Sequence, residues 1–207
     1  MLTGNRAAKW FIFHNPELAS GYIDENTRIN KLLYFSNLLY YCVNKRNLIS
    51  DDFIAFPNGP VIFSVYSDYR YNGLDTLPSS SPEMASEEEQ FLNIIDFVYG
   101  NYSTYEMVEE SHAQSPWRNV RHLIPSNPKI DFSVADASLV AYYQSLYQTY
   151  AGMDFTRIAK EKINGNIYYY SKDAFEMTDP IIEQLSSFAR CSEPMFLELI
   201  NGELVVS

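Results

Sequence analysis

The sequence predicts a mainly α protein, a compact helical domain over residues 1–151 with a small C-terminal β-containing appendage over residues 152–207. Three observations carry this. Apolar residues recur at helical spacing over most of the first 150 positions, helix-capping residues punctuate those runs, and the only patterns that favour strands fall near the C-terminus. With 46% hydrophobic and 20% charged residues, the 207-residue chain has enough apolar surface to close a core. Seventeen Tyr and thirteen Phe make that core unusually aromatic, or else leave some rings for an interface.

The first helix is expected from about Ala7 to His14, ended by Pro16, and the second from near Thr27 after a polar turn at Asp24-Glu25-Asn26. Ile29, Leu32, Leu33, Leu39, Tyr40 and Val43 form one stripe of that second helix, while Tyr34, Phe35, Leu38 and Tyr41 fill much of the other side. A helix apolar nearly all round is a central one. Asn58-Gly59-Pro60 reads as the start of a third helix, with proline at the first position and Val61, Val65, Tyr66 and Tyr69 continuing the stripe to Asn72-Gly73. Leu77 to Pro82 is a loop. Ser86 with Glu89, and Ser103 with Glu106, are capping-box patterns that open two more helices, the second ending near His112. Ser115-Pro116 opens another, and a long helix from Ser133 to Tyr150 is capped by Ser133 and closed by Gly152. In the remaining stretch of about 55 residues, Ile167 to Tyr170 reads as a strand, Asp179-Pro180 as a helix start, and Phe196 to Val206 as a hairpin about Asn201-Gly202. This tail is marginal for independent folding and is expected to dock on the helical body.

The net charge of −11 disfavours nucleic acid as a partner, because phosphate binding draws on clustered Lys and Arg. A neutral or basic protein partner fits better, although an acidic surface also serves solubility alone. Cys42 and Cys191 make neither a disulfide framework nor a metal site and read as reduced thiols. No run of apolar residues is long enough for a membrane span and no signal-peptide pattern opens the chain, so a cytoplasmic protein is expected.

Few residues invite a chemical reading. His112 follows Glu109 and Glu110 and has Ser111 and Ser115 beside it, which are the parts of a general base and a nucleophile. A histidine at a helix C-terminus that pins a loop accounts for the same pattern, and this reading is preferred. His14, His112 and His122 stand at no metal-ligand interval, so no metal and no cofactor are expected. Lys31, set in an apolar helix, is expected to pair internally with a carboxylate.

Three short motifs point further: Ile29-Asn30-Lys31-Leu32-Leu33-Tyr34-Phe35, then Phe53 to Val61 with its Asn58-Gly59-Pro60-Val61, then Ser111-His112-Ala113-Gln114-Ser115-Pro116-Trp117. In this order they resemble the Panacea antitoxin domain family, the SocA-like or GepA-like phage-associated proteins, whose pattern is a K-L-L-Y-F helix, an aromatic-x-x-G-P-V turn and a late H-x-x-x-P-W. Lys31, Leu32, Leu33, Tyr34, Phe35, Gly59, Pro60, Val61, His112, Pro116 and Trp117 match it. Phe56-Pro57 stands where that family commonly has tryptophan followed by a residue other than proline. The resemblance implies a non-enzymatic antitoxin that neutralises a cognate toxin protein by direct binding, with Leu74 to Glu89 and the tail from Gly152 as the partner-specific parts. Three other functions stay open: an adaptor that delivers a toxin to a protease, a phage-associated hydrolase using His112, and autoregulatory DNA binding, the last disfavoured by charge. Self-association into a homo-oligomer also stays open.

Overall fold

The computed structural model describes all 207 residues, Met1–Ser207. The chain divides into two compact units: Met1–Asp96 with Thr104–Ala151, and Phe97–Ser103 with Gly152–Ser207. Helical residues make up 52% of the chain, so the protein is about half helical, with the strands of a small C-terminal sheet present as expected.

In the first unit, α1 (Gly4–His14) begins three residues earlier than the sequence pattern predicts, because Thr3 caps it by accepting a hydrogen bond from the Arg6 amide. A 3₁₀ turn at Pro16–Ala19 leads to α2 (Ile23–Asn44), the 22-residue axis of this unit. Asp24-Glu25-Asn26 is not a turn before α2 but its first turn, where two carboxylates suit the positive end of the helix dipole. Ile29 through Tyr40 are buried without interruption, and Lys45 ends the helix in the left-handed conformation.

Phe53–Phe56 (β1) and Gly59–Ile62 (β2) form an antiparallel hairpin across Pro57-Asn58, with Ala55 opposite Pro60 and Phe56 opposite Gly59. Gly59-Pro60 is therefore not the start of a helix, which comes only at Phe63 in α3 (Phe63–Tyr71). Proline is tolerated in β2 because it lies at an edge: on its other side β1 is bonded to the 128–130 stretch, through Ala55 to the Pro128 carbonyl and Ile130 to the Phe53 carbonyl.

Helix α4 (Ser86–Tyr99) starts where expected, with the Glu88 carboxylate reaching back to the Ala85 amide rather than Glu89 to Ser86. Then follow α5 (Thr104–Ala113) and the single turn α6 (Ser115–Arg118). The long helix expected from Ser133 is split. Phe132–Val134 forms a 3₁₀ turn, and α7 (Ala137–Tyr150) is capped by Asp136, whose carboxylate accepts from the Leu139 amide at 3.0 Å. Both Ser133 and Asp136 can cap, and the carboxylate adds a favourable charge at the helix N-terminus. Of the residues expected to pack this helix, Tyr143 is fully buried while Val134 and Tyr142 are exposed.

The second unit holds a four-stranded sheet in the order β3 (Ile158–Ile163), β4 (Asn166–Ser171), β5 (Met195–Ile200), β6 (Glu203–Val206). Its outer pairs are antiparallel and β4 runs parallel to β5, with α8 (Asp179–Ser186) in the crossover. Both hairpins turn on Asn-Gly with positive φ at each residue, as a type I′ turn demands: Asn201-Gly202, expected, and Asn164-Gly165, which adds strand β3. Tyr168, Leu185 and Leu197 centre its core, and Asn101 ties the 97–103 segment in by bonding both the amide and the carbonyl of Ile167. No helix in the protein is long and apolar enough to cross a membrane.

Candidate functional site

Residues of all three motifs meet around the β1–β2 hairpin. Lys31 is fully buried on α2, and its ammonium nitrogen donates to the Pro60 carbonyl at 2.9 Å. The expected internal ion pair is thus replaced by a backbone acceptor. A neutral acceptor does not offset the loss of hydration as a carboxylate would, and burial lowers the Lys31 pKa to about 7. One residue earlier, the Asn30 side chain accepts from the Ile62 amide at 2.9 Å and donates to the Asn26 side chain and carbonyl. Asn26 in turn donates to the Tyr66 carbonyl at 3.0 Å. A ladder of amide side chains thereby fastens β2 and α3 to the apolar helix. Asn37 does the same for the following loop, accepting from the Leu48 and Ile49 amides. Polar residues at stripe positions of an otherwise apolar helix are the sequence signal for this ladder, and the apolar periodicity masks it.

From the other side, α5 and α6 bring in the third motif. His112 stacks on Trp117 with ring centroids 3.9 Å apart and planes at 16°, and the Trp117 indole donates to the Phe56 carbonyl at 3.2 Å. Pro116 is buried at the start of α6. Gly59, at φ +94°, lies so close to α2 and α5 that a Cβ there would sit 2.5 Å from Ser111 Oγ and 2.6 Å from Lys31 Cε. The remaining motif residues, Leu32, Leu33, Tyr34, Phe35 and Val61, are core. Tyr34 packs against Phe53 and Phe132, and burial raises its hydroxyl pKa well above the ordinary value.

This arrangement locks a hairpin. Ser111 Oγ donates to the Val108 carbonyl at 2.8 Å, and Ser115 Oγ accepts from the Asp136 amide at 2.9 Å, so the two hydroxyls beside His112 serve the backbone. Glu109 lies 3.9 Å from His112 Nδ1, a long and half-exposed contact. Partial burial, acting against the Glu109 charge, lowers the His112 pKa. No group of three His, Cys, Asp or Glu side chains is arranged to hold a metal ion.

His112→Ala removes the ring stack and the residue's interaction with the α5 C-terminus, and is expected to lower stability by roughly 0.5–2 kcal/mol while leaving the fold intact. A urea titration checks this. A folded variant with unchanged midpoint would show that the ring does not hold the loop.

Residues 29–118, a stretch that begins at Ile29 and ends at Arg118, match the family model described as the antitoxin SocA-like, Panacea domain. Over this segment, which spans less than half of the chain and contains the three motifs, the protein is similar to that family. No curated protein and no solved structure matched the chain.

Proposed function

We propose that the protein is an antitoxin that neutralises a cognate protein toxin by direct binding, acting in the cytoplasm and without catalysis. The carrying observation is the match of residues 29–118 to an antitoxin domain family. The local geometry favours binding over chemistry: the motif side chains other than the partly exposed His112 are buried, Lys31 fully so, and the serines beside His112 are spent on backbone groups. Binding then falls to the exposed surface, which is acidic and carries Tyr22, Tyr71, Tyr105 and Tyr142 as accessible aromatic anchors. Such a surface suits a neutral or basic partner, which it would occlude. Leu74 to Glu89 and the segment from Gly152 are the parts that would fit this antitoxin to its own toxin.

The test is co-expression with the neighbouring open reading frame. The reading predicts that the neighbour arrests growth alone, that this protein restores growth, and that the two co-purify. A harmless neighbour, or arrest that this protein does not relieve, would overturn it.

A further inference from the structure

A cleft of about 280 Å³ opens where α5, α6 and the start of α7 meet, lined among others by Glu110, Gln114, Asp136, Leu139 and Tyr142. It is small beside the ~300–1,000 Å³ of typical small-molecule sites, so it suits a single side chain. One feature of its wall calls for a ligand. Gln114 is 3% exposed, and its amide nitrogen donates to Glu110 Oε1 and to the Tyr143 hydroxyl, both at 3.0 Å. The Glu110 carboxylate accepts only, which fixes the orientation of the amide and leaves the Gln114 carbonyl oxygen buried with no donor. Buried acceptors are ordinarily satisfied, and an unmet one is costly.

The surroundings say what kind of donor fits. Two carboxylates, Glu110 and Asp136, border the cleft, and the one cation in its lining, Arg118, already donates to the Ala113 carbonyl at 3.0 Å and reaches Asp136 at 3.4 Å across an exposed contact. Leu139 offers an apolar wall and Tyr142, 47% exposed, an aromatic face at the mouth. An aliphatic stem with a planar, multi-donor cation at its tip meets all of these at once, stacking on the tyrosine while its N–H groups bond the Gln114 carbonyl and a carboxylate.

We infer that this cleft is the seat of an arginine side chain presented by the partner protein, an inference that rests on the antitoxin reading and locates part of its binding face. Glu110, Gln114 and Arg118 come from the segment matched to the family, whereas Asp136, Leu139 and Tyr142 lie beyond it. The seat is thus completed by residues outside the matched segment, where a partner-specific contact can be tuned.

The experiment has two arms. In the first, Nα-acetyl-arginine amide is titrated into the full chain and followed by ¹H–¹⁵N NMR, with the uncharged Nα-acetyl-citrulline amide as control. Saturable shifts of the Gln114 side-chain amide and of the Ala113 and Leu139 backbone are expected with the arginine probe, at least tenfold weaker with citrulline and lost in the Glu110→Gln, Asp136→Asn double variant. Asparagine still caps α7, so this variant keeps its fold. Equal shifts from both probes, or shifts that persist in the double variant, overturn the inference. In the second arm, affinity for the toxin encoded next to this gene is expected to fall at least tenfold in Glu110→Gln and in Tyr142→Ala. If the parent binds the toxin and these variants bind it equally well, the cleft is not the partner's seat. If the parent does not bind that toxin, the antitoxin reading itself fails.

Discussion

Gly59→Ala should remove about 2–5 kcal/mol of stability, a large part of the total in a fold whose whole margin is of the order of 5–15 kcal/mol. Two costs combine. At φ +94° any Cβ is strained, which costs about 1–3 kcal/mol, and the added methyl would also sit 2.5 Å from Ser111 Oγ and 2.6 Å from Lys31 Cε, an overpacking of similar size. Neither neighbour yields cheaply, since Ser111 is bonded to the Val108 carbonyl and Lys31 to the carbonyl of Pro60, the next residue in the hairpin. Gly73→Ala separates the two costs, because Gly73 also has a positive φ, +76°, but nothing within 4 Å of a Cβ. Urea midpoints should place Gly59→Ala well below Gly73→Ala. Equal midpoints would show that the hairpin has room and that the α2–β2–α5 contact is not a tight one.

The second large effect is a pH dependence seated at Lys31. Its pKa is about 7 in the folded protein, against an ordinary lysine value of 10.5. Between those two values the unfolded chain holds up to one more proton than the folded one, so stability rises with pH, by at most about 1.4 kcal/mol per unit. Below pH 7 both states carry the proton, and the cost of the buried charge is present in full. The lowered pKa of His112 acts in the same sense at more acid pH. Above pH 9 the Cys42 thiol, pushed up to about 11 by burial, opposes it, since the folded state then holds the extra proton. Urea unfolding from pH 7 to 8.5 should therefore show the parent protein gaining stability relative to Lys31→Met, whose slope lacks this contribution. Parallel slopes for the two proteins would mean that the ammonium is solvated in the folded state and that the hairpin clamp is looser than the 2.9 Å bond to Pro60 implies.

What the sequence disclosed and what it hid divide along the range of the interactions. Helix α2 was legible because its apolar residues recur through six turns, and Ser86, Ser115-Pro116 and Asn201-Gly202 marked their elements by local chemistry. Gly59-Pro60 is ambiguous in the sequence because a proline fits the first position of a helix and an edge strand equally well. Only the pairing of Phe53–Phe56 with Gly59–Ile62, and of β1 with the 128–130 stretch some 75 residues on, decides between them. The four-residue strand β1 alternates no polar residues that would betray it. The sequence points to a carboxylate partner for Lys31, but its acceptor is a carbonyl brought up by the hairpin, which no spacing along α2 reveals. The arginine seat was hidden for the same reason: Gln114 lies inside the third motif but is not one of its matched positions, and its partner Tyr143 is 29 residues away.

The central claim, neutralisation by occupation rather than by chemistry, is tested most directly by stoichiometry. In a cell-free expression reaction poisoned by the purified toxin of the neighbouring gene, increasing amounts of this protein should restore synthesis in proportion and reach full protection near one equivalent. The Lys31→Met and His112→Ala variants should protect to the same endpoint wherever they stay folded. Full protection from a hundredth of an equivalent, abolished in folded His112→Ala, would contradict the account and assign the protein a catalytic role.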